Sequence, residues 1–460
     1  MRLKVLIIAI ICGFCLSGCN PNMKDLGDFN GHFESGNYAG AEHFAQAKIK
    51  NNGNPSGNDL LWTLQAAAAQ RAQLNHSISL ETFDKAEEML NYYSPKSEVL
   101  DNVSATIVND NAMPYRGEQY DGIMVNTYKA IDFLAEKKLD LARVELNRAL
   151  DRQTRAKEHF NNEIRKLEDQ LNKQKEKTNT DAKAMADSEG VQSVINSNYS
   201  NLSDFAPYPD FVNPFTTYLA GIYFMLIGEN GRAADLLKET AGMVPDNDYI
   251  KNDLQLADDA AAGKTKIENQ CWIIFENGLG PTKSEVRLDL PLAIVSDRVA
   301  YTGIALPQLS PRPPAYPYLT IKTDNAEYTT RQVADMERII QTEFNKDFKG
   351  ILIRSIASAA VKTAAQAALS SDKNGDGGKI AAIALGIYSA ATTAADLRIW
   401  TSLPKDFQIA RCNIPNNSPL LVFTPADTMF EVNIPPCKNA IVYIKIINAG
   451  ARPVYEVLAF

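Results

Sequence analysis

The chain has 460 residues, 45% of them apolar and 22% charged, and a formal net charge of −8. The length allows several domains, and the composition is ordinary for a globular protein. A net acidic chain without a long basic run offers no electrostatic footprint for nucleic acid, which excludes that class of partner.

The start of the chain sets the compartment. Arg2 and Lys4 are followed by an uninterrupted apolar run from Val5 to Leu16, then by Leu16-Ser17-Gly18-Cys19. Charge, apolar run and small residues in that order are the layout of a secretory signal. The run is too short for a permanent spanning helix, which needs about 20 residues. The Leu-Ser-Gly-Cys ending resembles the lipobox of bacterial lipoproteins. That resemblance implies diacylglycerol on Cys19, removal of the signal peptide 1–18 and acylation of the new amino terminus. An ordinary signal peptide containing Cys19 is the alternative. Losing the two cations Arg2 and Lys4 takes the charge from −8 to −10. Asn20 stands where an aspartate would favour the inner membrane, so the family pattern implies a periplasm-facing outer-membrane anchor, with surface exposure left open. Residues 19–28 read as the lipidated cysteine and a short polar tether.

Residues 29–262 are helical by pattern. In Asn213–Asn247 the 34-residue TPR template puts Gly221 and Phe224 in a first helix and Ala233 and Leu237 in a second, with Pro245 at the stop. Thr240 falls where alanine is usual. A second register at Asn126–Gln153 puts Ala130, Phe133, Ala142, Leu146 and Ala149 in corresponding places, without the closing proline. Weaker pairs follow Gly36-Asn37-Tyr38 and Phe83-Asp84-Lys85-Ala86. Four imperfect repeats predict a TPR-like helical array, since no single pair buries its apolar face alone. A helical array without repeat ancestry is the alternative. Within it, residues 151–202 predict a projecting helical arm. Phe160, Ile164, Leu167 and Leu171 form a stripe of only about two heptads, too short for an independent coiled coil. A solvated extension and a partner-contacting arm both fit, with the chain folding back through Val191–Leu202.

The pattern changes at Asn269. Residues 266–460 predict an α+β domain: β-rich runs at 271–275, 285–290, 299–306 and 318–322, helix from Gln332 to Leu369 with a break near Phe348–Gly350, an Ala-rich helix from Lys379 to Leu397, then strands at 407–410, 420–423, 429–434, 440–446 and 454–458. The two Ala-rich helices predict a tightly packed hairpin; the uncharged stretch 380–395 reads as buried in it rather than inserted in a membrane. Between them Asp372, Asn374 and Asp376, followed by Gly377, match the opening of an EF-hand loop. Position twelve is Ile383, not the bidentate glutamate, and position eight is Lys379. Half of such a loop binds calcium weakly, so a flexible turn is the preferred reading, and no cofactor is expected. Cys271, Cys412 and Cys437 remain once Cys12, Cys15 and Cys19 are set aside. A Cys412–Cys437 bridge would contribute about 3 kcal/mol, but two buried thiols are the preferred reading.

Catalysis has little to draw on. His32, His43, His76 and His159 all lie in the helical half without ligand spacing, and the strand-rich half has no histidine. This removes Ser-His and Cys-His pairs from that half. No phosphate-cradling glycine loop and no HExxH occurs. Carboxylate pairs such as Glu276 with Asp289 or Asp297 are the remaining enzyme reading.

Met113–Gly122 (MPYRGEQYDG), Ala142–Gln153 (ARVELNRALDRQ), Asp210–Phe215 (DFVNPF), Phe275–Gly278, Gly303–Pro307 and Ala395–Trp400 with Leu403-Pro404 occur in that order. Together they resemble a family of uncharacterised proteobacterial lipoproteins with a TPR-like first half. Leu397 departs from the small polar residue expected there. The resemblance implies architecture and location, not an activity. The expectation is a non-enzymatic lipoprotein scaffold or regulator of a periplasmic or outer-membrane protein complex, touching the membrane through its lipid. A peptidoglycan synthase activator is one form of it, and a glycan-, peptidoglycan- or lipid-binding role for residues 266–460 is the rival.

Overall fold

Leu26, Phe29 and Phe33 repeat at helical spacing, and all three are buried along α1, Pro21–Glu34. The computed structural model describes residues 21–50, 55–93, 113–178, 181–199, 208, 212–291, 301–324, 326–370, 394–416 and 418–460. The tether expected over 19–28 thus gives way to helix from Pro21. A proline in the first turn gives up an N–H that has no helical partner there, and Leu26 gains a place in the core.

After a turn through Gly36 (φ 76°), Asn37 caps α2, Tyr38–Lys48, by accepting from Gly40 N at 3.1 Å. The next helices are α3, Asp59–Ala72, α4, His76–Tyr92, and α5, Gln119–Ala135. Every residue of α3 is buried, which accounts for its Leu-Leu-Trp and Ala-Ala-Ala-Ala runs. The next helix, α6, runs unbroken over Leu139–Thr178, about 60 Å at 1.5 Å per residue. Ala142, Leu146, Ala149 and Ala156 bury its first half, and the described side chains beyond Ala156 are half-buried or exposed. The second helix of one predicted pair and the predicted arm are therefore one element.

The remainder of that stretch folds back onto the core. In α7, Ala182–Ala186, and α8, Glu189–Asn198, the side chains of Ala182, Met185, Ala186, Val191 and Ile195 are buried. Tyr199 packs on Phe348 with ring centroids 4.7 Å apart and donates its hydroxyl to Pro307 O at 3.1 Å. Three helices close this half: α9, Pro214–Leu226, α10, Asn230–Met243, and α11, Asp248–Ala261. Asn213 caps α9 with Pro214 in the first turn, and Asn247 caps α11.

A five-stranded sheet has the order β11-β10-β1-β7-β6: β1, Gln270–Asn277; β6, Arg331–Asp335; β7, Asp406–Asn413; β10, Asn439–Ile446; β11, Val454–Ala459. Its β1–β10 pair is parallel and the others antiparallel. Side chains alternate between its faces. Cys271, Ile273 and Phe275 join Val442, Ile444 and Ala410 against a four-stranded sheet. That sheet has the order β5-β4-β8-β9: β4, Thr320–Lys322; β5, Glu327–Thr329; β8, Leu420–Phe423; β9, Met429–Val432. On the opposite face Trp272, Ile274, Ile441 and Tyr443 join the helices. A separate hairpin pairs β2, Thr282–Pro291, with β3, Tyr301–Ser310.

The helix expected from Gln332 begins at Met336, because Arg331–Asp335 completes the sheet edge. α12 then runs over Met336–Ser370 with no break at Phe348, which is buried. Residues 394–400 are not helical, and Ala395 and Leu397 are buried there. The rest of the expected second Ala-rich helix, and Asp372, Asn374 and Asp376, lie outside the described residues.

One apolar core runs from Leu26 to Leu458 across both halves. Phe215 of α9 stacks on Phe407 of β7 at 3.7 Å and 5°, and Trp400 packs within 6.0 Å of Phe83 and Tyr128. The composition change at 262–266 marks a switch from helix to strand, but packing crosses it.

Candidate functional site

The densest polar constellation lies where α3, α4 and α5 meet β1, β10 and β11. Glu276 of β1 and Lys445 of β10 are direct partners in the parallel register and form a buried ion pair. Glu276 also accepts from the hydroxyls of Tyr128, at 3.0 Å, and Tyr443. Arg71 lies over the rings of Tyr443 and Tyr128, 4.6 and 5.0 Å from their centroids, and its Nε is 3.4 Å from Asp132. His76 bridges two carboxylates, with Nδ1 2.9 Å from Asp132 and Nε2 3.0 Å from Glu456. Three cations thus face three carboxylates, so the cluster is neutral as a whole. Glu276, Asp132, Arg71 and Tyr443 are each under 5% exposed.

The protonation states follow from these neighbours. Burial alone would raise the Glu276 carboxyl, but Lys445 and Arg71 outweigh it and hold it below the ordinary value. Burial draws the Lys445 ammonium down, with Glu276 pulling against it. Burial, then Glu276, pushes the hydroxyls of Tyr128 and Tyr443 well above the usual tyrosine range, so both stay protonated donors. Burial disfavours the charged His76, yet its bonds to Asp132 and Glu456 push it up to about 9. As an imidazolium at neutral pH it donates from both nitrogens and has no lone pair for a proton. Most of the polar atoms of this cluster meet one another, but Nε and Nη2 of Arg71 are buried without a hydrogen-bond partner.

The His76 clamp gives stability with a definite pH dependence. Its folded-state pKa of about 9 lies above the ordinary 6.5, so the contribution is complete below 6.5 and fades as pH rises through 9. Allowing for the solvent-facing edge of the ring, it amounts to about 1–2 kcal/mol. Urea unfolding at pH 6 and pH 10 should show a fall in stability larger in the native chain than in His76→Asn by that amount. Parallel pH profiles for the two would contradict the clamp.

Two further buried junctions work in the same way. Lys129 reaches Asp84, Glu87 and Glu145 at 2.7, 2.6 and 3.1 Å, tying α4, α5 and α6. Burial would raise Glu87, but Asn126 and Lys129 prevail and bring it down to about 2. Asp253 of α11 accepts from Tyr218 at 2.7 Å and Trp272 at 3.2 Å and faces Arg411 at 2.8 Å. Burial pushes its carboxyl up to about 6, with Arg411 limiting the rise.

Among the described residues one group has the donors for a hard cation: Glu118, Glu343 and Asp347 bring carboxylate oxygens within 4.8 Å of one another. Glu343, however, accepts from the backbone N–H groups of Gln119 and Tyr120, at 2.5 and 3.2 Å, and so caps α5. Burial pushes its carboxyl well above the ordinary range, with Glu118 and Asp347 adding to the rise.

Of the residues expected to pack the repeats, Ala130 and Ala142 are fully buried on α5 and α6, and Phe133 is half-buried against the same core. Gly221, Phe224 and Ala233 meet between α9 and α10. A Cβ on Gly221 would lie 2.8 Å from Leu237 Cγ, so only glycine allows this approach. The cysteines are unpaired, with Cys412 buried as in the preferred reading and Cys437 half-buried. Cys271, Cys412 and Cys437 are free, and the partner of Cys412 in the β1–β7 register is Cys271, not Cys437. A hydrogen bond to Cys412, followed by burial, holds the Cys271 thiol well above its usual range. Cys19 lies outside the described residues.

Sequence reasoning missed the ionic junction, although a signal was present. Glu276 ends CWIIFE, Lys445 interrupts AIVYIKI, and Arg71 follows AAAAQ. A lone charge in an apolar run needs a partner in the core. Compared with protein-family models, curated proteins and solved structures, the chain finds no match.

Proposed function

We propose that this protein is a lipid-anchored, non-enzymatic scaffold of the bacterial cell envelope, in which a TPR-like helical array holds or regulates a protein partner at the periplasmic face of the outer membrane. Cys19 carries the lipid. The observation that carries the scaffold reading is the contrast between the interior and the outer face of α6. The buried ion pairs join internal elements, whereas Leu141 and Val144, one helical turn apart, leave 45% and 43% of their surface exposed. Exposed apolar pairs on a helical array are suited to a partner's apolar anchor.

Because both halves share a core, removing one would unfold the other, and point variants are the sound test. A photo-crosslinking residue at Val144 in the full-length lipidated protein, followed by mass spectrometry, should capture one dominant envelope protein. Leu141→Asp should abolish that capture while leaving unfolding by urea unchanged. Capture of background proteins alone, or capture indifferent to Leu141→Asp, would defeat the proposal.

A further inference from the structure

We infer that the edge formed by the start of α1 and the end of α2 lies directly against the bilayer, with Met23, Lys24, Ile49 and Lys50 at the headgroup surface. This rests on the lipid anchor at Cys19 proposed above. The argument begins with reach. Only Asn20 separates Cys19 from Pro21, the first residue of α1. A fully extended chain spans at most about 3.6 Å per residue, so the acylated cysteine holds the first turn of α1 within about 7 Å of its own α-carbon. That helix is no flexible leader, because Leu26, Phe29 and Phe33 fix it in the core. The body has no slack with which to stand away from the membrane.

The same geometry identifies what else comes with α1. The turn through Gly36 returns the chain, and Lys48 at the end of α2 binds Asp25 at 2.7 Å. Lys50 and Ile49 follow at once, and Lys50 N is tied to Asp59 at 2.9 Å, which places the start of α3 at this edge too. Met23 is 54% exposed, and Lys24 and Lys50 are exposed. An apolar side chain flanked by lysines suits the boundary between acyl chains and anionic headgroups, with the lysine stems lying along the apolar layer. The short link fixes the position of this edge and leaves the tilt of the body free.

The test uses the full-length lipidated protein in vesicles of phosphatidylethanolamine and phosphatidylglycerol. Mass spectrometry of the N-terminal peptide first establishes acylation of Cys19. Nitroxide labels are then placed singly by Met23→Cys, Lys50→Cys and, at the far end of the α1–α2 hairpin, Ser35→Cys, in a Cys437→Ser background. Collision with a water-soluble nickel chelate should be several-fold lower at 23 and 50 than at 35. A Gly/Ser linker of about 20 residues inserted between Asn20 and Pro21 should abolish the difference without affecting acylation. Acylated protein with equal accessibility at all three positions would overturn the inference and leave the lipoprotein reading intact. A Cys19 without lipid would overturn both.

Discussion

Lys445→Met is expected to destabilise the fold by about 3–5 kcal/mol, the cost of removing one partner from a buried ion pair. Glu276 would stay 1% exposed without its direct cationic partner, beside tyrosine hydroxyls and Arg71. The asymmetry of the pair sharpens the test. Glu276→Gln with Lys445→Met leaves no uncompensated charge, and the double variant should recover much of the loss, with a coupling energy of at least about 1 kcal/mol. Urea unfolding of the native chain and the three variants measures this directly. A cost below about 1 kcal/mol for Lys445→Met, typical of exposed pairs, would mean that water reaches the junction.

Phe215→Ala should cost about 3–5 kcal/mol, the usual range for truncating a buried phenylalanine. Its ring is fully buried and lies flat on Phe407, joining a helix cap to the central sheet. A shared core predicts that the loss appears in both halves at once. Trp62 reports from the helices, while Trp272 and Trp400 report from the sheet and the segment leading to β7. Far-ultraviolet circular dichroism and tryptophan fluorescence should therefore give one coincident transition, shifted to lower denaturant. Two separated transitions, with only one displaced, would show that the halves fold independently.

Local chemistry was legible in the sequence wherever it determined local structure. The β-rich runs from 271 to 458 became β1–β4 and β7–β11 within a few residues, because alternation and Gly/Pro punctuation act over short spans. Gly221 against Leu237, and Ala130 and Ala142 in the core, were also legible, since close helix packing demands small residues at set spacing. What depends on distant partners was not. Nothing in Pro21–Asp28 announces that Leu26 has a core waiting for it, so a polar stretch read as a tether. Arg331–Asp335 carries a helix-compatible sequence and is drawn into β6 by its neighbour β7. Cys412 is far closer in sequence to Cys437 than to Cys271, but strand register brings it opposite Cys271. The ionic junction has its members at positions from 71 to 456, and sequence marks each lone charge without saying which others it meets.

The position of β1 in its sheet bears on how the protein is made. Its neighbours are β10, where Gln270 bonds to Asn439 at a separation of 169 residues, and β7, where Gln270 bonds to Asn413 at 143. While β1 is being synthesised, neither neighbour exists, since both lie more than a hundred residues further along the chain. Strands whose partners lie so far along the chain pair slowly. The central sheet, and with it the Glu276–Lys445 pair, can close only once β10 has been made. Until β10 has been made, the strand-rich half stays open and is exposed to aggregation and proteolysis.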